Sequence, residues 1–180
     1  NSAYELYQAD FTAAELKLVG FDNVSDLYYA GYAAIECKEA SYDASAIKDG
    51  GYSVQEMHDA LFTATELKSL FTLAQLKSVG YDATQMKSAG FIASQLRQAG
   101  YTATELSIHI TPDVSSNVLP VATFSAAELK NGGYTVREIK SAGYTPQEIY
   151  DGGYKNLEDL KTVGHTVNDL RTITNIDGSP

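Results

Sequence analysis

Gly80-Tyr81-Asp82-Ala83-Thr84-Gln85-Met86-Lys87-Ser88-Ala89 is followed by Gly90-Phe91-Ile92-Ala93-Ser94-Gln95-Leu96-Arg97-Gln98-Ala99 and then by Gly100-Tyr101-Thr102-Ala103-Thr104-Glu105-Leu106. One ten-residue phrase is being repeated. Counted from the glycine, its positions read Gly, aromatic, Thr/Ser/Asp, small apolar, variable, Glu/Gln, Leu/Ile/Met, Lys/Arg, variable, Ala/Val. Thr, Ser or Asp followed three residues later by Glu or Gln is the capping-box pattern, in which two free amides at a helix start are satisfied reciprocally. Thr12/Glu15, Ser53/Glu56, Thr63/Glu66, Thr102/Glu105, Ser125/Glu128 and Thr135/Glu138 all conform. Pro146 directly after Thr145 agrees, because proline is tolerated at the first helical position. The spacing therefore predicts a helix start at position four.

The stop is equally legible. Glycine at position one takes a left-handed C′ conformation without a Cβ penalty, and the aromatic after it is placed for the apolar contact of a Schellman-type end. Each repeat is then one helix of about seven residues, and a helix shorter than about 12 residues is marginal alone in water. Neighbouring repeats must hold it. Positions four, seven and ten share one helical face, so Leu6, Leu16, Leu27, Ile47, Met57, Leu67, Leu76, Met86, Leu96, Leu106, Leu129, Ile139, Ile149, Leu160 and Leu170 form the expected apolar spine, with Cys37 as their equivalent.

The repeat counts sixteen times, which predicts an all-α solenoid, or superhelix, of about sixteen short helices. Odd and even copies do not differ systematically, so the pattern favours one common screw from each helix to the next over alternating hairpins. Residues 1–106 and 124–173 carry the repeats, and 174–180 form a polar tail. Residues 107–123, including His109 and Pro112, lack the Gly-aromatic turn and read as an interruption within the same solenoid, with a hinge as the alternative. Asn23 and Asn156 are single-residue insertions. The first residue, Asn1, falls inside a repeat, as expected of a processed or excised chain.

The pattern resembles the tandem decapeptide proteins of the Gly-Tyr-Thr-Ala-x-Glu-Leu-Lys-x-Ala kind over nearly the whole chain. The resemblance implies a helical solenoid and brings no catalytic residue or ligand with it.

The 180 residues carry a net charge of −10, against the clustered basic surface that nucleic-acid binding needs. Eleven of the 13 basic residues sit at position eight and the acids favour position six, both placements that complement the helix dipole. No apolar run approaches the roughly 18 residues of a membrane span. A single cysteine, Cys37, excludes an internal disulfide. His58, His109 and His165 have no metal-ligand spacing, glycines end helices instead of opening a phosphate loop, and acidic pairs such as Glu158-Asp159 fit capping. The sequence thus predicts neither a catalytic site, a cofactor nor a metal.

Five tyrosines depart from the aromatic position: Tyr4, Tyr7, Tyr28, Tyr29 and Tyr150. They are candidates for a self-association or partner surface, with incidental packing as the alternative, since aromatic side chains are enriched at interfaces. Asn23-Val24-Ser25 is a glycosylation sequon, meaningful in a secreted protein. The expectation is a non-enzymatic structural subunit of a filament or surface layer, extracellular or cell-surface, self-associating head to tail. The alternative is a monomeric module that binds a protein, peptide or glycan.

Overall fold

The computed structural model describes residues 2–107, 124–171 and 173. Those residues form 16 short helices and no strand, the helical repeat solenoid that the period predicts. The interruption from residue 108 to 123 and the tail 174–180 lie outside the described residues.

The helices fall into two compact units, Asn1–Tyr81 and Asp82–Pro180, divided in the turn between two helices and not at the interruption. The first holds α1 (Ala3–Gln8), α2 (Ala13–Leu18), α3 (Val24–Ala30), α4 (Ala34–Glu39), α5 (Ala44–Asp49), α6 (Val54–Asp59), α7 (Ala64–Leu67) and α8 (Leu73–Ser78). The second holds α9 (Ala83–Ser88), α10 (Ala93–Gln98), α11 (Ala103–Leu106), α12 (Ala126–Asn131), α13 (Val136–Ser141), α14 (Pro146–Asp151), α15 (Leu157–Thr162) and α16 (Val167–Arg171).

Helices begin at position four because the capping box forms as the spacing demands. In α2 the Thr12 amide donates to Glu15 Oε2 at 2.8 Å while the Glu15 amide donates to Thr12 Oγ1 at 3.2 Å. Thr12 also holds the Glu15 carboxyl below its usual range, first through its amide and then through its hydroxyl. The two inserted asparagines have a clear role. Asn23 and Asn156 become the N-caps of α3 and α15, each accepting from an amide two residues on.

Helices end where a residue turns left-handed. Gly90, for example, has φ +89° and the amide of Phe91 returns to the Met86 carbonyl at 3.1 Å. Three repeats make the same turn without glycine, at Asp10, Ser41 and Leu61, with φ of 61°, 62° and 60°.

The core is the spine of position seven. Every such residue from Leu16 to Leu160 is 0–1% exposed, and each fully buried Leu, Ile or Met contributes about 1.5–3 kcal/mol. Position ten packs closely against position four of the helix two before it at Gly50 with Val24, Gly132 with Ala93 and Gly152 with Ala126: a Cβ on Gly132 would lie 2.8 Å from Ala93 Cβ.

The order of packing is the main finding about the fold. Helix contacts run between alternate members, as in α1 with α3, α2 with α4, α3 with α5 and α4 with α6, then α10 with α12, α11 with α13 and α12 with α14. The spiral therefore has two helices per turn within each unit. Its structural turn is twenty residues although its chemical period is ten.

Candidate functional site

Two sets of side chains join one turn to the next, and both come from single repeat positions. The aromatic at position two forms the first. Tyr32 donates its hydroxyl to the Phe11 carbonyl at 2.6 Å, Tyr42 to Phe21 at 2.5 Å, and Tyr52 to Tyr32 at 2.6 Å; Tyr81 bonds Phe62 in the same way. In the second unit Tyr134 reaches the Tyr101 carbonyl at 2.6 Å, Tyr144 reaches Phe124, and Tyr154 reaches Tyr134. Burial pushes the phenols of Tyr42, Tyr101 and Tyr134 up to about 12, so they stay protonated at neutral pH.

Position eight forms the second set. Lys38 Nζ donates to the Leu61 carbonyl at 2.6 Å and lies 4.3 Å over the Phe62 ring. Lys130 reaches the Gly153 carbonyl at 2.5 Å and Lys140 the Val163 carbonyl at 2.8 Å. Lys17 bonds the Ser41 carbonyl, and Arg97 lies 4.8 Å over Tyr134. The basic side chain thus caps the helix end one full turn away and covers its aromatic, which adds cation–π attraction to dipole compensation. The dipole argument from sequence placed this charge on its own helix only.

Two of the five candidate tyrosines are explained by the same clamp. Tyr7 meets Tyr32 edge-on with centroids 4.8 Å apart, and Tyr28 meets Tyr52 at 4.9 Å, each replacing lysine at position eight. Tyr150 is buried, with Lys155 Nζ 3.9 Å from its ring centroid. Tyr4 and Tyr29 remain largely exposed. His58 is another substitute at position eight, its ring 4.9 Å from Tyr81. Asn23 spends its side-chain oxygen on the cap of α3.

Cys37 is fully buried with Sγ 3.4 Å from the Tyr52 hydroxyl, and burial raises its thiol above the usual range. His165 takes the aromatic position and is 8% exposed, with Nε2 lacking a hydrogen-bond partner. Burial, followed by the Lys140 charge, lowers its pKa against the opposing pull of Asp169. Among the described residues no group of His, Cys, Asp and Glu is arranged to hold a metal, and no helix is long and apolar enough to cross a membrane.

Sequence reading missed a recurring groove. It lies between the start of one helix and the flank of the helix two further on, with position six and position nine on its rim. Between α10 and α12 it measures about 420 Å³, between α4 and α6 about 410 Å³, and between α12 and α14 about 380 Å³. The first two sit where the N-cap residue is apolar, at Ile92 and Ala33. There the capping box keeps only its acidic or amide half, Ile92 N–H to Gln95 Oε1 at 3.0 Å and Ala33 N–H to Glu36 Oε2 at 2.7 Å.

The residues on either side of the interruption meet as neighbours. The Phe124 amide donates to the Leu106 carbonyl at 3.1 Å, the bond that joins consecutive repeats elsewhere. Tyr134 to Tyr101 spans 33 residues where intact turns span about 20, so about 13 residues are inserted without changing the phase of the repeat.

No curated protein and no solved structure matches this chain. A family model described as a decapeptide repeat region matches residues 1–70. The capped helix, left-handed stop and buried spine of those residues recur in the repeats that follow, as far as α15 and its stop at Gly164, so the ten-residue repeat continues beyond the matched residues.

Proposed function

We propose that the protein is a non-enzymatic structural repeat protein whose copies stack head to tail into a filament or surface array. The observation that supports this reading is the exposure of apolar repeat positions in the first and last described turns. Inside each unit, position ten faces the preceding turn and position four the following one, and both are mostly buried. In the first turn Val19, at position ten, is 72% exposed, and Phe11, at position two, is 45% exposed. In the last turn the position-four residues Leu157 and Val167 are 38% and 74% exposed.

The two edges complement each other chemically. Lys161 and Arg171 occupy position eight beside Leu157 and Val167, and their counterparts elsewhere reach a carbonyl and an aromatic ring of the next turn. Phe11 and Phe21 are the rings such a clamp would cover. An interface between unlike edges is heterologous, and repetition of it produces rings or filaments. The stacking that holds turns together within the chain then also joins chain to chain.

Analytical ultracentrifugation with negative-stain imaging tests the proposal. Wild-type protein is expected to grow with concentration into particles of constant width, and Val19→Glu, at an exposed position, to stay monomeric with an unchanged circular dichroism spectrum. Folded wild-type monomers at every concentration reached would overturn the assembly role.

A further inference from the structure

The groove between α10 and α12 points to a partner. Position three is a hydroxyl, carboxylate or amide residue at most helix starts, because the cap is worth having at every short helix. Ile92 forgoes it, and stands 60% exposed at the mouth of the groove. A local rule broken without a compensating contact inside the protein marks a position kept for another purpose. Phe91, Ala93 and Phe124 line the groove with Ile92, alongside Ser94, Asn131 and the ion pair of Lys87 with Glu128.

One turn further along the same column, the groove between α12 and α14 changes character. Its lining is small, with Ala126, Ala127 and Gly152, and its rim is acidic, with Glu148 and Asp151. The column therefore offers an apolar anchor point followed by a negative one. Packed helices lie about 8–10 Å apart, and three residues of polyproline II helix advance about 9 Å, so one residue in every three of such a segment falls in register with successive grooves.

We infer that this column binds an extended polypeptide segment carrying a large aliphatic side chain and, three residues away, a lysine or arginine. The aliphatic side chain enters the Ile92 groove and the cation meets Glu148 and Asp151, a charge-assisted contact of the stronger kind. The extended conformation lowers the ordering cost of the segment. This reading is independent of head-to-tail stacking, since it uses the flank of inner turns and not their open edges.

Fluorescence anisotropy with a labelled Pro-Leu-Pro-Pro-Lys-Pro peptide tests it. The decisive variant is Ile92→Thr, which removes the apolar anchor and completes a capping box of the kind Thr72 and Gln75 already make. It is expected to melt no lower than wild type and to bind the peptide about tenfold more weakly. Asp151→Asn is expected to weaken binding as well, and peptides with Ser for Leu or Glu for Lys to lose it. Failure of the parent peptide to bind wild-type protein, or equal binding by wild type and Ile92→Thr, would overturn the inference; either result leaves head-to-tail stacking standing.

Discussion

Tyr134→Phe isolates the contribution of a single rung. The substitution keeps the ring, its burial and the Arg97 guanidinium 4.8 Å above it, and removes only the hydroxyl that donates to the Tyr101 carbonyl at 2.6 Å. A buried carbonyl deprived of its donor costs about 1–3 kcal/mol. The lower half of that range fits a phenol that neighbours a solenoid surface, so the expected loss is about 1–2 kcal/mol. Chemical denaturation followed by circular dichroism gives the total, and hydrogen exchange of the amides in α11 and α13 locates it, since stability in an array is a sum over neighbours. Tyr29→Phe is the control, because Tyr29 is 81% exposed and surface changes are usually within about 0.5 kcal/mol. Equal stabilities for the two variants would refute the rung. The same hydroxyl fixes a pH response. Its pKa rises from 10.0 to about 12 through burial, so the stabilisation is intact below pH 10, where unfolded tyrosine ionises, and disappears as pH climbs towards 12. Wild-type stability should decline in that interval more steeply than that of Tyr134→Phe.

Two further outcomes follow from local geometry. Leu61 holds φ of 60° and is 75% exposed; a left-handed non-glycine residue costs about 1–2 kcal/mol, while burial of a quarter of a leucine returns only about 0.5 kcal/mol. Leu61→Gly should raise stability in denaturant by about 0.5–1 kcal/mol, and a loss instead would show that the side chain packs more than its exposure indicates. Burial, followed by the charge of Lys140, holds the pKa of folded His165 below its usual value. Its unfolded form takes up a proton near pH 6.5, so stability is full above that value and falls below it. His165→Phe should flatten the melting temperature between about pH 7.5 and 5.5, and a slope equal to wild type would remove His165 from the account.

Much of the fold was legible because its signals are local. Thr12 with Glu15 announces a helix start within four residues, and Gly90 with Phe91 announces a stop within two. The two-helix turn was not legible, for a physical reason. Odd and even repeats carry the same residue types at the same positions, so nothing in the sequence marks where one turn ends and the next begins. Lys38 shows a second limit. Its charge near the end of α4 is sufficiently explained by that helix, which hides its bond to the Leu61 carbonyl 23 residues on. Tyr7 and Tyr28 looked anomalous for the same reason, until the rings of Tyr32 and Tyr52 were placed beside them. The groove at Ile92 had one visible sign, the missing hydroxyl at a capping position, whose meaning required the facing helix.

The mismatch between a ten-residue unit and a twenty-residue turn has an evolutionary consequence. Gain or loss of one unit within a compact unit is tolerated by the core, since every copy offers the same spine, yet it moves each later side chain to the opposite flank. Gain of two units lengthens the array and preserves every flank. Parity of copy number, and not copy number itself, then decides whether surface features such as Ile92 and Asp151 stay aligned in one column. Leu106 and Phe124, which flank the inserted stretch, meet as consecutive repeats do elsewhere, so a site of this kind is where new sequence can be added without disturbing either side.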